Sequence, residues 1–544
     1  MNNRSNKFIP LIISLSLIAG LLLGSFYANH FNGNHLSIIN ASSNKINDLL
    51  HIIDDQYVDK VELGDLVEKA MPNILSELDP HSSYISAKDV EQEMQDIKGS
   101  FSGIGVVFTI YDDTARIVRV IKGGPSEEVG LQAGDRIISV DGKNFTGPHI
   151  TNDSAMSHLK GPKNSKVVLG IHRKGSGRVY KYTIERGDVP VKSIQAAYML
   201  DHQTGYIRIG NFGDTTYPEL LAALAQLNQE GFRSLVIDLR GNRGGLMAPA
   251  IRMANEFLPK DRLIVYTQGR KSPRSEYSSD GRGSYQHIPL VVLVDEISAS
   301  SSEIFTAAIQ DNDRGNIIGR RTFGKGLVQE PIQFPDGSML RLTIARYYSA
   351  SGRCLQKPYL RGQDNDYQMD LIRRAEKGEY ISQDSIHLKG KKYHTRLGRI
   401  VYSEGGIMPD YFIPEDTTGI TSYFIQAYNQ GWMSRYAFIF IDEHREKLDK
   451  MADWEEMVQY LSRQHLPQKF ADYAAGKGVK KRPNLLHKSY QYIQSTLISL
   501  ILDDYYGEAQ RLMFMNQKDP NITKALELFK EGKAFPQAPK EQQK

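Results

Sequence analysis

Cysteine is nearly missing from this chain of 544 residues: Cys354 stands alone, which excludes an intrachain disulfide, and no Cys or metal-spaced His cluster surrounds it. No metal or redox site is therefore expected. Charge excess is lacking too, because 67 basic and 63 acidic residues leave a net charge of only +4, which points to no nucleic-acid partner and no acidic tail. The G-x-S-x-G elbow occurs nowhere, and none of the 14 histidines has a triad-like setting, which weakens a Ser-His-Asp arrangement. Long apolar runs are absent except for one. Phe8 to Ala28 runs 21 residues without a charge behind Arg4 and Lys7, enough to cross a bilayer core of about 30 Å as a helix. Residues 1–30 are read as an uncleaved signal anchor. A cleaved signal peptide competes, but its apolar core is shorter, about 7 to 15 residues, and Phe26-Tyr27-Ala28 is a poor cleavage end. With positive charge inside, the rest of the chain is expected in a periplasm, tied to the inner membrane by a single pass.

The length suits roughly three or four domains of about 150 residues. Residues 41–98 read as a helical N-terminal segment, with Ile46, Leu49, Leu50 and Ile53, then Leu66, Val67, Ala70, Met71, Ile74, Leu75 and Leu78, at three-and-four spacing. Asp79-Pro80 interrupts that pattern, and His81 behind it is read as a structural turn residue, with a catalytic role as the lesser alternative. Residues 99–187 hold short β-branched runs, among them GIGVVFTI, ARIVRVI and KVVLGIHR, and form a β-rich module. Residues 188–418 alternate fully apolar strands with amphipathic helices, the pattern of an α/β layer covered on both faces. A polar stretch, 269–287, breaks it as a long loop. Residues 419–544 are mostly helical and end in a polar tail expected to be disordered. The fold class is thus multidomain α/β.

Chemistry concentrates in DLRGNRGG (238–245), ISASSSEIF (297–305) and RTFGKGLVQE (321–330), each placed after an apolar strand, where open α/β sheets collect ligands. Ser300-x-x-Glu303 before Ile304 and Phe305 is a capping box, so Ser300 starts a helix; the same position, beside unpaired N–H groups, also suits a nucleophile. Lys325, bracketed by Gly324 and Gly326, is the candidate base if burial lowers its pKa, and otherwise a solvated loop lysine. Gly319 to Lys325 also fits the phosphate-cradling G-x-x-x-x-G-K. Gly326 stands where the magnesium-binding Ser or Thr belongs, and Pro331 and Pro335 forbid the helix that must follow.

Taken together, SASSSEIFTAAIQDNDRGNIIGRRTFGKGLVQ, the upstream DLRGNRGG and LDPHSSYIS, and the downstream GGIMPDYFIP resemble the carboxy-terminal processing (tail-specific) proteases, serine peptidase family S41. GPSEEVGLQAGDRIISVDG (124–142) resembles part of a PDZ domain. The resemblance covers roughly residues 44–416 and implies a ClpP/crotonase-like α/β core at 188–418, a PDZ domain at 99–187, and a serine endopeptidase cutting at or near unstructured C-terminal tails without cofactor. It implies a serine-lysine pair 25 positions apart, which selects Ser300 and Lys325, with Gln329 four residues on to orient the amine. Backbone N–H groups of Ser301 and Gly244 would hold the oxyanion, and Ser102, Gly103, Ile104 and Gly105 would hold a peptide carboxylate. Glu303 and Asp311 match acidic positions of the family, with a structural role open to them. Ser301 and Arg243 depart from it, standing where alanine and proline are common, and neither departure removes a catalytic group. Implied partners are protein substrates, held by their C-terminal tails. A regulatory adaptor and a homo-oligomer are further partners that the sequence does not decide.

Overall fold

The structure is a computed structural model and describes residues 43–539, apart from Gln363, Lys389 and Glu404. The apolar stretch 8–28 and the tail 540–544 lie outside the described residues, and among those described no helix is long and apolar enough to cross a membrane. The chain divides into two compact units, Met1–Leu75 and Ser76–Lys544.

The first unit holds α1 (Ser43–Gln56) and nearly all of α2 (Leu63–Ser76). Its amphipathic pattern is helical as read, and Ile46, Leu49 and Ile52 of α1 remain exposed. The second unit opens with the Asp79-Pro80 turn, β1 (Ser83–Ile85) and α3 (Val90–Lys98). Residues 83–85 are thus a strand inside a stretch read as helical. Three residues are too few to show a period, and their strand character comes from antiparallel pairing with residues 339–341.

The β-rich module contains β2 (Ser100–Gly103), β3 (Val106–Tyr111), β4 (Thr114–Val120), β5 (Arg136–Val140), α4 (Asn152–Leu159), β6 (Lys166–His172), β7 (Val179–Glu185) and β8 (Gly187–Pro190). Its main sheet runs β3-β4-β5-β6-β7, all antiparallel, and β2 pairs separately with β8. Alternate residues such as Ile117, Ile137, Val167, Leu169 and Ile184 enclose its core.

The α/β layer contains β9 (Ile194–Met199), β10 (Thr204–Ile209), α5 (Thr216–Gln229), β11 (Ser234–Asp238), α6 (Met247–Phe257), β12 (Leu263–Gln268), β13 (Leu290–Val294), α7 (Ser301–Asp311), β14 (Asn316–Gly319), β15 (Leu327–Gln333), β16 (Met339–Ser349) and β17 (Tyr411–Phe412). One sheet runs β9-β10-β11-β13-β14-β17, parallel from β10 onward. A second, antiparallel sheet joins β1, β16 and β12, with β15 on β16 and, on the far side of β12, Ser275–Ser278, a strand within the stretch 269–287 read as a loop that its pairing with 263–267 makes extended.

The central strands are apolar throughout because both faces are covered. Ile207, Ile237, Val292 and Val294 pack with α5, α6 and α7, whereas Tyr206, Val236, Val291 and Leu293 point the other way. That second face is covered from the far end of the chain. After α8 (Ser422–Asn429), α9 (Trp432–Leu448), α10 (Trp454–Ser462), α11 (Leu466–Gly476), α12 (Pro483–Lys488) and α13 (Tyr490–Tyr505) come α14 (Glu508–Asn516) and α15 (Pro520–Lys530). Leu512, Ile522, Ala525 and Leu528 of these last helices close the sheet. The sequence showed the need for two covers; only the packing identified the second.

Candidate active site

Strand β13 delivers the chain to the serine cluster, and Asp295 turns it. Its carboxylate accepts the N–H groups of Ile297 (3.0 Å), Ser298 (3.1 Å) and Gly241 (2.9 Å), which ties this turn to DLRGNRGG. Carbonyls of that same segment then take the serine hydroxyls. Ser298 Oγ donates to Leu239 O, Ser301 Oγ to Gly245 O and Ser302 Oγ to Asn242 O, each at 2.9 Å. Ser300 alone of the four donates its hydroxyl proton to no acceptor among the described residues. Its backbone sits at φ 55° and ψ −115°, a conformation that non-glycine residues avoid and that costs of order 1–3 kcal/mol.

The capping box expected at Ser300 and Glu303 forms. Glu303 does more than cap: Oε2 accepts both Ser300 N–H (3.0 Å) and Lys325 N–H (2.8 Å), and Oε1 accepts Gly324 N–H (2.8 Å) and the Thr322 hydroxyl (2.5 Å). Tyr347 adds a second bridge by donating its hydroxyl toward the carbonyls of Ser300 (3.2 Å) and Lys325. Two segments 25 positions apart are thereby fastened backbone to backbone. Desolvation pushes the fully buried Glu303 carboxyl up to about 7, against the opposing effect of these hydrogen bonds. Desolvation also brings the Lys325 amine down to about 8, aided by the charge of Arg341 and opposed by Asp79 and Glu303. That amine has no hydrogen bond or ion pair among the described residues. Burial, and next the charge of Lys325, hold His81 down to about 3, and its Nε2 lies 2.9 Å from the Tyr367 hydroxyl. His81 is therefore neutral, but it belongs to the surroundings of Lys325.

Gly244 sits at φ 98° directly against the Ser300 turn: a Cβ there would come within 2.6 Å of Ser300 Cβ and 3.0 Å of Ser301 N, so only glycine fits. The Gly244 N–H donates to Asn242 Oδ1 at 2.8 Å, an acceptor with which any oxyanion would compete. The Ser301 N–H has no acceptor among the described residues.

Residues 203–369 match Peptidase family S41, residues 116–173 match a PDZ domain, and residues 423–507 match a family of unknown function. Over 320 residues the chain is 33% identical to the carboxy-terminal processing protease CtpA of Bacillus subtilis (strain 168), covering 59% of this chain and 68% of that protein. The chain belongs to peptidase family S41. It is a PDZ-containing serine peptidase of the carboxy-terminal processing type. It is also 31% identical over 346 residues to a "Probable CtpA-like serine protease" of Staphylococcus haemolyticus, with 62% of this chain and 68% of that one covered. Among solved structures, the photosystem II D1 C-terminal processing protease aligns at 24% identity over 70% of this chain and 95% of that chain, with a TM-score of 0.35.

Other expected residues of this S41 peptidase fall in two places. Gln329, on β15 opposite Thr343 of β16, donates from Nε2 to Thr343 Oγ1 at 3.2 Å, and no hydrogen bond joins it to Lys325. Thr343 Oγ1 in turn donates to Asp79 Oδ1 at 3.0 Å, and Ser82 Oγ donates to Asp79 Oδ2 at 2.6 Å. The LDPHSSY turn is thus docked beside the Gln329 strand. Its place was hidden in the sequence, since Asp79 and Thr343 are 264 positions apart. In the PDZ domain Ser102 and Gly103 end β2, opposite Asp188 and Gly187, while Ile104 and Gly105 lead into β3 with Gly105 at φ 76°. The carbonyls of Ile104 and Gly105 accept the N–H groups of Ser126 (2.9 Å) and Ile121 (3.0 Å), which fixes the loop. Ser102 Oγ is buried without a hydrogen-bond partner.

Proposed function

We propose that Ser300 is the nucleophile and Lys325 the general base of this peptidase. The observation that carries the reading is the sorting of the serines: three hydroxyls are committed to carbonyls, and Ser300 keeps a free proton on a strained backbone beside the Glu303 bridge to Lys325. The neutral Lys325 amine would take the Ser300 Oγ proton as Oγ attacks the scissile carbonyl, then return it to the leaving amine; water would release the acyl group by the same route. The Ser301 N–H is the ready oxyanion donor, and Gly244 would join once its N–H leaves Asn242. Gln329 acts on the amine through local rearrangement, since its amide is now directed to Thr343. Protein tails would be held by the Ser102–Gly105 loop and cut without cofactor. Ser300→Ala and Lys325→Ala should each lose at least 1,000-fold in peptide cleavage, an order of magnitude expected for removing a nucleophile or its base, with unchanged circular dichroism. Fluorophosphonate labelling confined to Ser300 completes the test, and full activity in Ser300→Ala would end the assignment.

The same reading places the enzyme at the inner membrane, anchored by residues 8–28, with its catalytic part in the periplasm. The support is the 21-residue charge-free run behind Arg4 and Lys7. Membrane-fraction protein should resist alkaline extraction and lose its catalytic part to protease added to spheroplasts. A product freed by alkali or shielded from that protease would refute the topology.

A further inference from the structure

Strand β3 follows the Ser102–Gly105 loop and pairs with β4 on one side; among the described residues no strand pairs with its other side. A tail whose carboxylate is held by that loop and which adds to this free edge must run antiparallel to β3, because its C-terminus lies where the strand begins. At about 3.4 Å per residue, the stretch from Val106 to Ile110 accommodates roughly the last four or five residues of such a tail. The next residues upstream reach the end of β3.

A cavity of about 310 Å³ opens there. It is lined by Thr109 and Ile110 of β3, Thr151 and Asn152 at the start of α4, and Ser434 and Arg435 at the start of α9. The last pair comes from the helical region after residue 419, outside the PDZ domain. The start of α9 has no acid in its first turn and no capping side chain on Gly431, so its N–H groups present a positive end. Arg435 is exposed and lies 4.9 Å from the Trp432 ring, with no carboxylate within ion-pair distance among the described residues. Acids on the surrounding elements do not neutralise it: Asp112 faces Arg116 at 3.3 Å, while Asp153 of α4 and Glu443 of α9 are exposed and form no ion pair with Arg435. A groove with a free strand edge therefore continues into a cavity whose far wall is positive.

We propose that Arg435 is a specificity residue of the tail groove, selecting protein C-termini that carry Asp or Glu about four to six residues before the terminal carboxylate. This inference rests on the reading of Ser102–Gly105 as the carboxylate loop. The helical region thereby lengthens the recognition surface beyond what the PDZ domain alone provides, and reads it by charge. An exposed ion pair of this kind supports a preference of about fivefold, screened by salt.

The test titrates fluorescent ten-residue peptides, identical except for Glu, Gln or Lys at the fifth position from the C-terminus, against full-length Ser300→Ala protein. The Glu peptide should bind about fivefold tighter than Gln, and Lys more weakly than either, with the spread shrinking at high salt. Arg435→Gln should level the three, and Arg435→Glu should reverse their order. Amidating the C-terminus should weaken every peptide in all variants, which also certifies an intact groove. Carboxylate-dependent binding without a charge preference, or a preference that survives Arg435→Gln, overturns the role of Arg435 and leaves the tail-binding reading standing. Indifference to amidation removes the tail-binding reading and this inference with it.

Discussion

The proposed nucleophile Ser300 needs a base, and the protonation of its neighbours supports Lys325 over His81. With a pKa of about 8, the Lys325 amine is neutral in roughly a tenth of molecules at pH 7 and in most above pH 9. A base works in its neutral form, so the Lys325 titration should raise kcat/KM about tenfold between pH 7 and 9 through a limb near 8, with Glu303, at about 7, the neighbouring group that titrates closest to it. His81, held neutral down to about 3, contributes no limb near 6.5. A limb near 6.5 that vanishes in His81→Gln would transfer the base role to the histidine. At this scale Ser300 and Lys325 were legible locally only as a helix cap and a glycine-bracketed lysine, and the family resemblance joined them with Gln329 into a proposed site. Glu303 was only half legible: its capping contact is local, whereas Thr322, Gly324 and Lys325 meet its carboxylate from 19 to 22 positions away. Asp79 and Tyr347 carried no local mark, since they act through contacts made only on folding.

Helices and strands show the same division. The two-faced strands β10, β11, β13 and β14 were legible as continuous apolar runs, and the short β1 was not, because its partner decides it. The helices α14 and α15 were readable as helices but not as a wall of the peptidase sheet. Leu528, 1% exposed in that wall, should cost about 2–4 kcal/mol when changed to Ala. Removing residues 507–544 should leave Val236, Val291, Leu293 and Ile318 bare and the peptidase insoluble, although every proposed catalytic residue is retained. Urea titration and soluble yield measure both effects. A truncated chain with the parent's unfolding midpoint would show that the wall is dispensable.

Across Ser76–Lys544, the helical region joins the other two parts. Toward the PDZ domain, the Asp503 carbonyl accepts from Arg119 (3.1 Å), and the Asp442 carbonyl accepts from Lys174 (2.8 Å). Toward the peptidase sheet, Arg240 pairs with Asp519 at 2.6 Å and Asn516 donates to the Tyr198 hydroxyl at 2.7 Å. The helices that complete the peptidase layer thus belong to the region whose Arg435 lines the cavity at the end of β3. By itself the sequence determined the α/β class of the molecule and offered a capping serine and a glycine-bracketed lysine, because those depend on local period and composition, while its PDZ and S41 segments were legible through the family resemblance. The tertiary structure decided which hydroxyl keeps a free proton, how Glu303 fastens Ser300 to Lys325, and what covers the second sheet face. Such contacts join residues tens to hundreds of positions apart, and burial, which moves the Lys325 and Glu303 pKa values, exists only once those residues have met.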